Sequence, residues 1–353
     1  MRNEPKSNRL FLATILTYLV VMLLLYGLPA LGISVELPLV LALISGELTL
    51  LIPAVIYLIL CRINLRGLSE RWRLPVAAVP LLILMAYCIL PLVTLINLIS
   101  MMLAGENAAA PMLGTLQQLP MWVSLLCISV LPGVTEEFIF RGILYSEYRK
   151  RRTWAAILVS ALLFGLMHMN LNQFCYAFVM GVLFSLVYEA TGSLLAPMLM
   201  HMVYNGNSVI MTYLSSDVAG QGNAEQATDM LMQMLGSDGL RYQLMMMVIM
   251  MVIAALVGLA AAGGLYVAVV KLCRRERQVL LLFQRNSIEK RLALECVEDV
   301  EATGNEEMTE TTDEIVTERR NGKSRKIWGP CLWSGVLLAA VVIIGDVLML
   351  KLA

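Results

Sequence analysis

Nine stretches of this chain are apolar over close to the length a helix needs, roughly 20 residues, to cross a bilayer core of about 30 Å. They lie near 10–31, 37–61, 76–104, 119–146, 154–170, 173–190, 194–214, 243–270 and 331–352, the fifth and sixth being short for a span. In lipid every backbone N–H and C=O has to be satisfied inside the protein, which confines a spanning chain to helices or a closed barrel. Runs this long and continuous specify helices. The expected fold is therefore all-α, a polytopic membrane helix bundle of about nine transmembrane helices. Of the 353 residues, 59% are hydrophobic and 15% charged, against about 45–50% and about 25% in a soluble domain. That balance excludes a soluble single-core protein, a disordered chain and a nucleic-acid binder.

Basic and acidic residues cancel at 26 each, so the information lies in their placement. Arg2, Lys6 and Arg9 precede the first span; Arg62, Arg66, Arg71 and Arg73 follow the second; Arg149, Lys150, Arg151 and Arg152 follow the fourth; twelve more lie between Lys271 and Lys326. These four segments hold 23 of the 26 basic residues. With nine spans and a cytoplasmic N-terminus, all four fall on the cytoplasmic side, as the excess of Lys and Arg there requires. The first stretch is too long for the apolar region of a cleavable signal and reads as a permanent span. The chain divides into N-terminal helices (1–115), a membrane core (116–214), an outer loop and helix (215–270), a charged cytoplasmic segment (271–327) and a last helix (328–353). Within 271–327 an amphipathic surface helix is expected to about Val297 and a disordered tail after it. The outer loop 215–242 is expected to be mobile. Seven cysteines lack metal spacing and imply no disulfide framework.

Ionisable groups inside a membrane are costly and by default face a cavity or a functional site. The fourth span carries Glu136, Glu137 and Arg141 in the run TEEFIFRG; the fifth ends with His168 in FGLMH; the seventh carries His201 and Asn205 in HMVYN. These are the two histidines of the whole chain. Helical residues four apart share a face and neighbours are about 100° apart. Glu137 and Arg141 are thus spaced as an ion pair, and Glu136 points elsewhere. His201 and Asn205 aim at one point, and Phe164 lies beside His168. Glu47 and Asp346 are acids in the second and last spans without an obvious partner, and Glu47 is read as structural. The methionines of the eighth span are read as flexible apolar filler.

These residues resemble the CPBP intramembrane proteases, which include the type II CAAX prenyl endopeptidases and the Abi proteins of bacteriocin processing and immunity. That family carries EExxxR, FxxxH and HxxxN/B motifs on successive membrane helices. Here they read Glu136-Glu137 to Arg141, Phe164 to His168 and His201 to Asn205, over roughly 116–214. The resemblance implies an intramembrane endopeptidase of a bacterial plasma membrane, acting on a membrane-associated or lipidated peptide or protein. Glu136 with His168 would activate water, His201 and Asn205 would stabilise the oxyanion, and Glu137, Arg141 and Phe164 would support the site. No cofactor is expected. The alternative is a zinc-dependent version with His168, His201 and Glu136 or Glu137 as ligands. However, an HExxH helix is absent and no carboxylate stands obviously behind either histidine. From another class, a non-catalytic bacteriocin self-immunity protein or scaffold would keep the fold without needing both Glu136 and His168. A transporter would show repeat symmetry, and none is visible.

Counted from the cytoplasmic arginines at about 1.5 Å per residue, Glu136 and His168 lie roughly 20–24 Å deep and His201 roughly 12 Å. For them to meet, helices must be tilted or staggered, or the fifth span must end inside the bilayer before Asn170.

Overall fold

The computed structural model describes residues 5–33, 37–61, 72–105, 115–116, 118–149, 153–219, 233, 238–282 and 327–352. Its helices are α1 (Ser7–Met22, continued through a π-wound turn at Leu23–Gly27), α2 (Leu39–Cys61), α3 (Ala78–Ala104), α4 (Met121–Tyr148), α5 (Thr153–Leu166), α6 (Leu171–Thr191), α7 (Leu195–Ala219), α8 (Asp238–Leu272), α9 (Glu276–Leu282) and α10 (Pro330–Leu352). Among the described residues seven helices are long and apolar enough to cross a membrane: α1, α2, α3, α4, α6, α8 and α10. The protein is a polytopic helical membrane protein. Of the nine expected spans, two fall short of that measure: α5 has 14 residues, and α7 is diluted by His201, Asn205, Asn207, Ser208 and Thr212. His201 lies on α7, and His168 lies in the turn that follows α5. The sixth stretch, expected to be short, is a full helix of 21 residues.

Large apolar side chains face outward, and several ionisable groups lie inside. Leu60, Val76, Val257, Val341 and Met349 are exposed, whereas Glu137, Arg141, Glu189 and Asn172 are buried. An apolar outer surface is what hydrocarbon solvates, and buried ionic groups must then find partners inside. Met245, Met246 and Met250, read from sequence as apolar filler, face outward. The reason is that α8 meets α3 along a narrow stripe of small residues, Ala255, Gly258 and Ala262. A Cβ at Gly258 would overlap the carbonyl oxygen of Cys88 on α3. Small residues of this kind let helix backbones approach where no hydrophobic effect drives association. Gly258→Ala is therefore expected to separate the two helices and cost about 1–3 kcal/mol, read as a lower midpoint of thermal unfolding in detergent. An unchanged midpoint would show that the contact is slack.

Around this pair, α6 packs on α3 and α5, α7 on α3 and α4, α2 on α1 and α4, and α10 on α1. The ends assigned to the cytoplasm lie together. The backbone N–H groups of Lys6 and Ser7 donate to Glu147 near the end of α4, Tyr148 donates to Asn8, and Asn8 donates to the carbonyl of Ile327 before α10. Beside them the buried Glu189 of α6 accepts from Tyr145 at 2.6 Å and pairs with Arg149 at 3.0 Å.

Helix α5 ends at Leu166, and the chain turns at 167–170 to enter α6. The fifth span thus stops before Asn170, one of the alternatives the depth count required. Met169 takes a positive φ of 55° in that turn, and the Asn170 side chain caps α6 by accepting from the Gln173 N–H at 2.7 Å. Asn172 then donates to Asn97 and Ser100 of α3, each at 2.9 Å. The turn carrying His168 is therefore pinned from both sides. The tail of the cytoplasmic segment, 283–326, and most of the outer loop, 220–232 and 234–237, lie outside the described residues. Within the expected loop, 215–219 and 238–242 are helical: polar Ser215, Ser216 and Asp217 do not stop a helix, and the first glycine there is Gly220.

Candidate functional site

The centre of the bundle is organised by one carboxyl oxygen. Glu137 Oε1 accepts from Arg141 Nη1 at 2.8 Å and from His201 Nδ1 at 2.9 Å, which joins α4 to α7. Arg141 is fully buried. Its Nη2 donates to the Gly181 carbonyl of α6 at 3.0 Å, and its Cζ lies 4.5 Å from the Phe164 ring centre and 5.3 Å from that of Phe184. Burying a cation demands such a shell of acceptors and aromatic faces. Gly181 makes its part possible: a Cβ there would stand 2.8 Å from Ala161 Cα, so α5 and α6 touch at their backbones and the carbonyl is left to face α4.

Glu136, one residue earlier, points to a different neighbourhood. Its side chain is 16% exposed while that of Glu137 is sealed. Its Oε2 lies 3.9 Å from His201 Nε2 and has no hydrogen-bond partner. Glu47 of α2, read from sequence as a structural acid without a partner, accepts a hydrogen bond from the hydroxyl of Thr135, the residue before Glu136.

The two imidazoles share a ring of aromatic neighbours. Phe164 stands edge-on to His168 at 5.4 Å and to His201 at 6.0 Å, and Phe184 stacks on His201 at 5.2 Å. His168 makes no hydrogen bond to Glu136; its Nδ1 is 2.9 Å from the Phe164 carbonyl. A carbonyl and a carboxylate only accept, so Nδ1 carries the proton in both histidines and each neutral ring presents Nε2 as an acceptor. Glu137 is thus a carboxylate standing behind His201, where none was expected, because α4 and α7 cross at this level. Among the described residues no three His, Cys, Asp or Glu side chains are grouped to hold a metal ion.

Asn205 sits one turn beyond His201, but its amide is engaged elsewhere. Pro132 has no N–H to give to the carbonyl four residues before it, that of Ile128, and Asn205 Nδ2 donates to that carbonyl at 3.0 Å. The same region of α4 is π-wound over Leu126–Val130, and α4 is π-wound again over Phe138–Tyr145, just beyond the two glutamates. Such winding is concentrated at functional sites. The structure thus gathers Glu136, Glu137, Arg141, Phe164, His168 and His201 around one centre and turns one N–H of Asn205 to a helix-repair contact. Sequence reasoning missed Thr135, Phe184 and the Gly181 carbonyl. Thr135 adjoins the glutamate pair, while Phe184 and Gly181 carry no local signal. An apolar cavity of about 240 Å³, lined by Met85, Ile89, Leu183, Val187, Ala262 and Tyr266 among others, shares no residue with this centre.

Comparison with known proteins comes to the same segment. Residues 118–206 match the family model described as type II CAAX prenyl endopeptidase Rce1-like. Similar proteins are the membrane-embedded CAAX protease MroQ of Staphylococcus aureus (34% identical over 97 residues, 26% of this chain and 39% of that one) and the putative membrane peptidase YdiL of Bacillus subtilis (31% over 108 residues, 30% and 43%). An uncharacterized 24.3 kDa protein of Escherichia coli is 35% identical over 86 residues, 23% of this chain and 40% of that one. The chain spans about two fifths of the length of the curated relatives it matches. No solved structure matches. Seven spanning helices and bacterial relatives make this a multi-pass bacterial membrane protein. Residues 118–206, the segment matched by the Rce1-like model, contain all three motifs and the carboxylate–imidazole centre.

Proposed function

We propose that this protein is an intramembrane endopeptidase that hydrolyses a peptide bond in a membrane-associated or lipidated peptide or protein. The observation that carries the reading is the division of labour between adjacent glutamates. Oε2 of each glutamate lacks a hydrogen-bond partner, but Glu137 is sealed with its Oε1 engaged by Arg141 and His201, while Glu136 is partly exposed, with Oε2 3.9 Å from His201 Nε2. A general base needs a free acceptor within reach of the proton it removes, and such geometry is often loose before substrate binds. In this reading Glu136 takes the proton of a water and His168 Nε2 helps to orient it. The hydroxide attacks the peptide carbonyl. The oxyanion receives the second N–H of Asn205 with the His201 ring beside it, and the C–N bond then breaks as Glu136 passes the proton it took from water to the leaving amine. Donors placed for the developing charge contribute about 10²–10³ in rate each. Glu137 and Arg141 hold His201 in place. The match of residues 118–206 to the Rce1-like model supports the reaction class.

The test is cleavage of a fluorogenic membrane peptide by the purified protein, with and without a chelator. Wild type is expected to cleave, Glu136→Ala to lose cleavage, and the chelator to have no effect. Full activity in Glu136→Ala would end the mechanism. Loss with chelator and rescue by Zn²⁺ would establish the zinc-dependent version instead. Absence of cleavage across many peptides would favour a non-catalytic immunity or scaffold protein.

A further inference from the structure

We propose that the apolar cavity beside α8 and α9 holds an acyl chain of an anionic phospholipid, whose headgroup is bound by the basic residues at the turn between those two helices. The cavity, about 240 Å³, lies between α3, α6, α8 and α9, with Trp154 of α5 at its wall. Only Trp154 and Tyr266 among its lining side chains bear an N–H or O–H, and the Tyr266 hydroxyl already donates to the Leu186 carbonyl at 3.2 Å. A space lined in this way stays dry and selects an apolar occupant. An apolar cavity of about 150 Å³ admits benzene, so this one has room for a longer piece of hydrocarbon. It also communicates with the lipid: Leu259 and Gly263, both in its lining, are exposed on the outer side of α8. A chain from the surrounding bilayer can enter sideways.

The headgroup side of the argument is charge complementarity. At the end of α8 the Arg275 N–H donates to the Val270 carbonyl at 2.9 Å and the Arg274 N–H to the Lys271 carbonyl at 3.1 Å. Arg274 has a φ of 55°, in the left-handed position where a helix usually ends on glycine. The chain is turned there, and α9 lies on α6 and α8, which brings Val279 and Leu282 into the cavity wall. The same turn leaves Lys271, Arg274 and Arg277 exposed, and Glu276 is the one acid in 271–282. These residues belong to the segment whose excess of Lys and Arg assigns it to the cytoplasmic face, where anionic lipids lie. A cluster of exposed cations next to a slot for hydrocarbon complements both parts of such a lipid. A soluble anion would leave the slot empty, and a zwitterionic lipid would bring no net charge to the cations.

Brominated acyl chains quench tryptophan on contact, and Trp154 is a reporter built into the cavity wall. The purified protein in detergent is titrated with phosphatidylglycerol carrying a dibrominated chain and, separately, with phosphatidylcholine of the same chains. Quenching of Trp154 is the difference between wild type and Trp154→Phe. Phosphatidylglycerol is expected to reach half-quenching at a concentration lower by about fivefold or more, since each basic residue near an anionic lipid contributes about that factor. The double variant Arg274→Gln, Arg277→Gln is expected to bring the two curves together. A Cβ at Gly263 meets nothing within 4 Å, so Gly263→Leu is expected to fold, occupy the cavity and reduce the quenching by both lipids. Should Trp154→Phe not fold, the unfolding midpoint of the wild type is expected to rise further with phosphatidylglycerol than with phosphatidylcholine, and that difference to vanish in the double arginine variant. Equal curves for the two lipids in wild type would overturn the proposal, and so would undiminished quenching in Gly263→Leu. Displacement of the brominated lipid by a lower concentration of a lipidated peptide would give the cavity to a substrate chain and overturn it as well. None of these readings depends on peptide cleavage, so the proposal and the peptidase reading can fail separately.

Discussion

Arg141→Met is expected to be the most damaging single substitution to stability, at about 3–5 kcal/mol. The side chain is fully buried, and it makes the 2.8 Å ion pair with Glu137, the 3.0 Å hydrogen bond to the Gly181 carbonyl and the face contacts with Phe164 and Phe184. Methionine fills similar space but leaves the Glu137 carboxylate buried beside His201 alone. The cost is that of an uncompensated charge more than of lost packing, and this gives the prediction its check. Glu137→Gln in the same chain removes the orphaned charge, so the double variant is expected to unfold at a higher temperature than Arg141→Met. Thermal unfolding in detergent measures both. If the double variant were no more stable than the single, the ion pair would not be what Arg141 contributes.

The second large effect separates two residues adjacent in sequence. Glu136→Gln is expected to lower kcat/KM by about 10²–10⁴-fold, the usual contribution of a positioned base, with the unfolding midpoint unchanged. Glu137→Gln is expected to lower the midpoint clearly, because it leaves Arg141 buried without its counter-charge, and to lower activity through the displaced His201 ring. The geometry behind the contrast is the sealed Glu137, its Oε1 doubly engaged by Arg141 and His201, against the partly exposed Glu136, which has no arginine partner. Equal losses of activity and stability in both variants would remove the distinction on which the proposed chemistry stands.

Much of this molecule was legible from local sequence because a bilayer is an unforgiving solvent. Apolar length dictates spanning helices, and the rarity of ionisable groups inside them made Glu136, Glu137, Arg141, His168 and His201 stand out at once. The i,i+4 spacing of Glu137 and Arg141 likewise depends only on helical geometry, and the pair is formed. The number of spanning helices was less legible, because α5 stops at Leu166, before His168, and α7 is made polar by His201, Asn205 and their neighbours. Three further matters depend on groups far apart in the chain. Glu137 reaches His201 across 64 residues and Glu47 reaches Thr135 across 88, contacts created by helix crossings that no local period encodes. Asn205 could be placed on the face of His201, yet only the packed structure shows its amide drawn to the carbonyl that Pro132 leaves without a donor. Sequence by itself determined which helices form and which polar groups must be sheltered; tertiary packing decided which group shelters which, because a hydrogen-bond partner inside a membrane has to be supplied by whatever neighbouring helix arrives at the same depth.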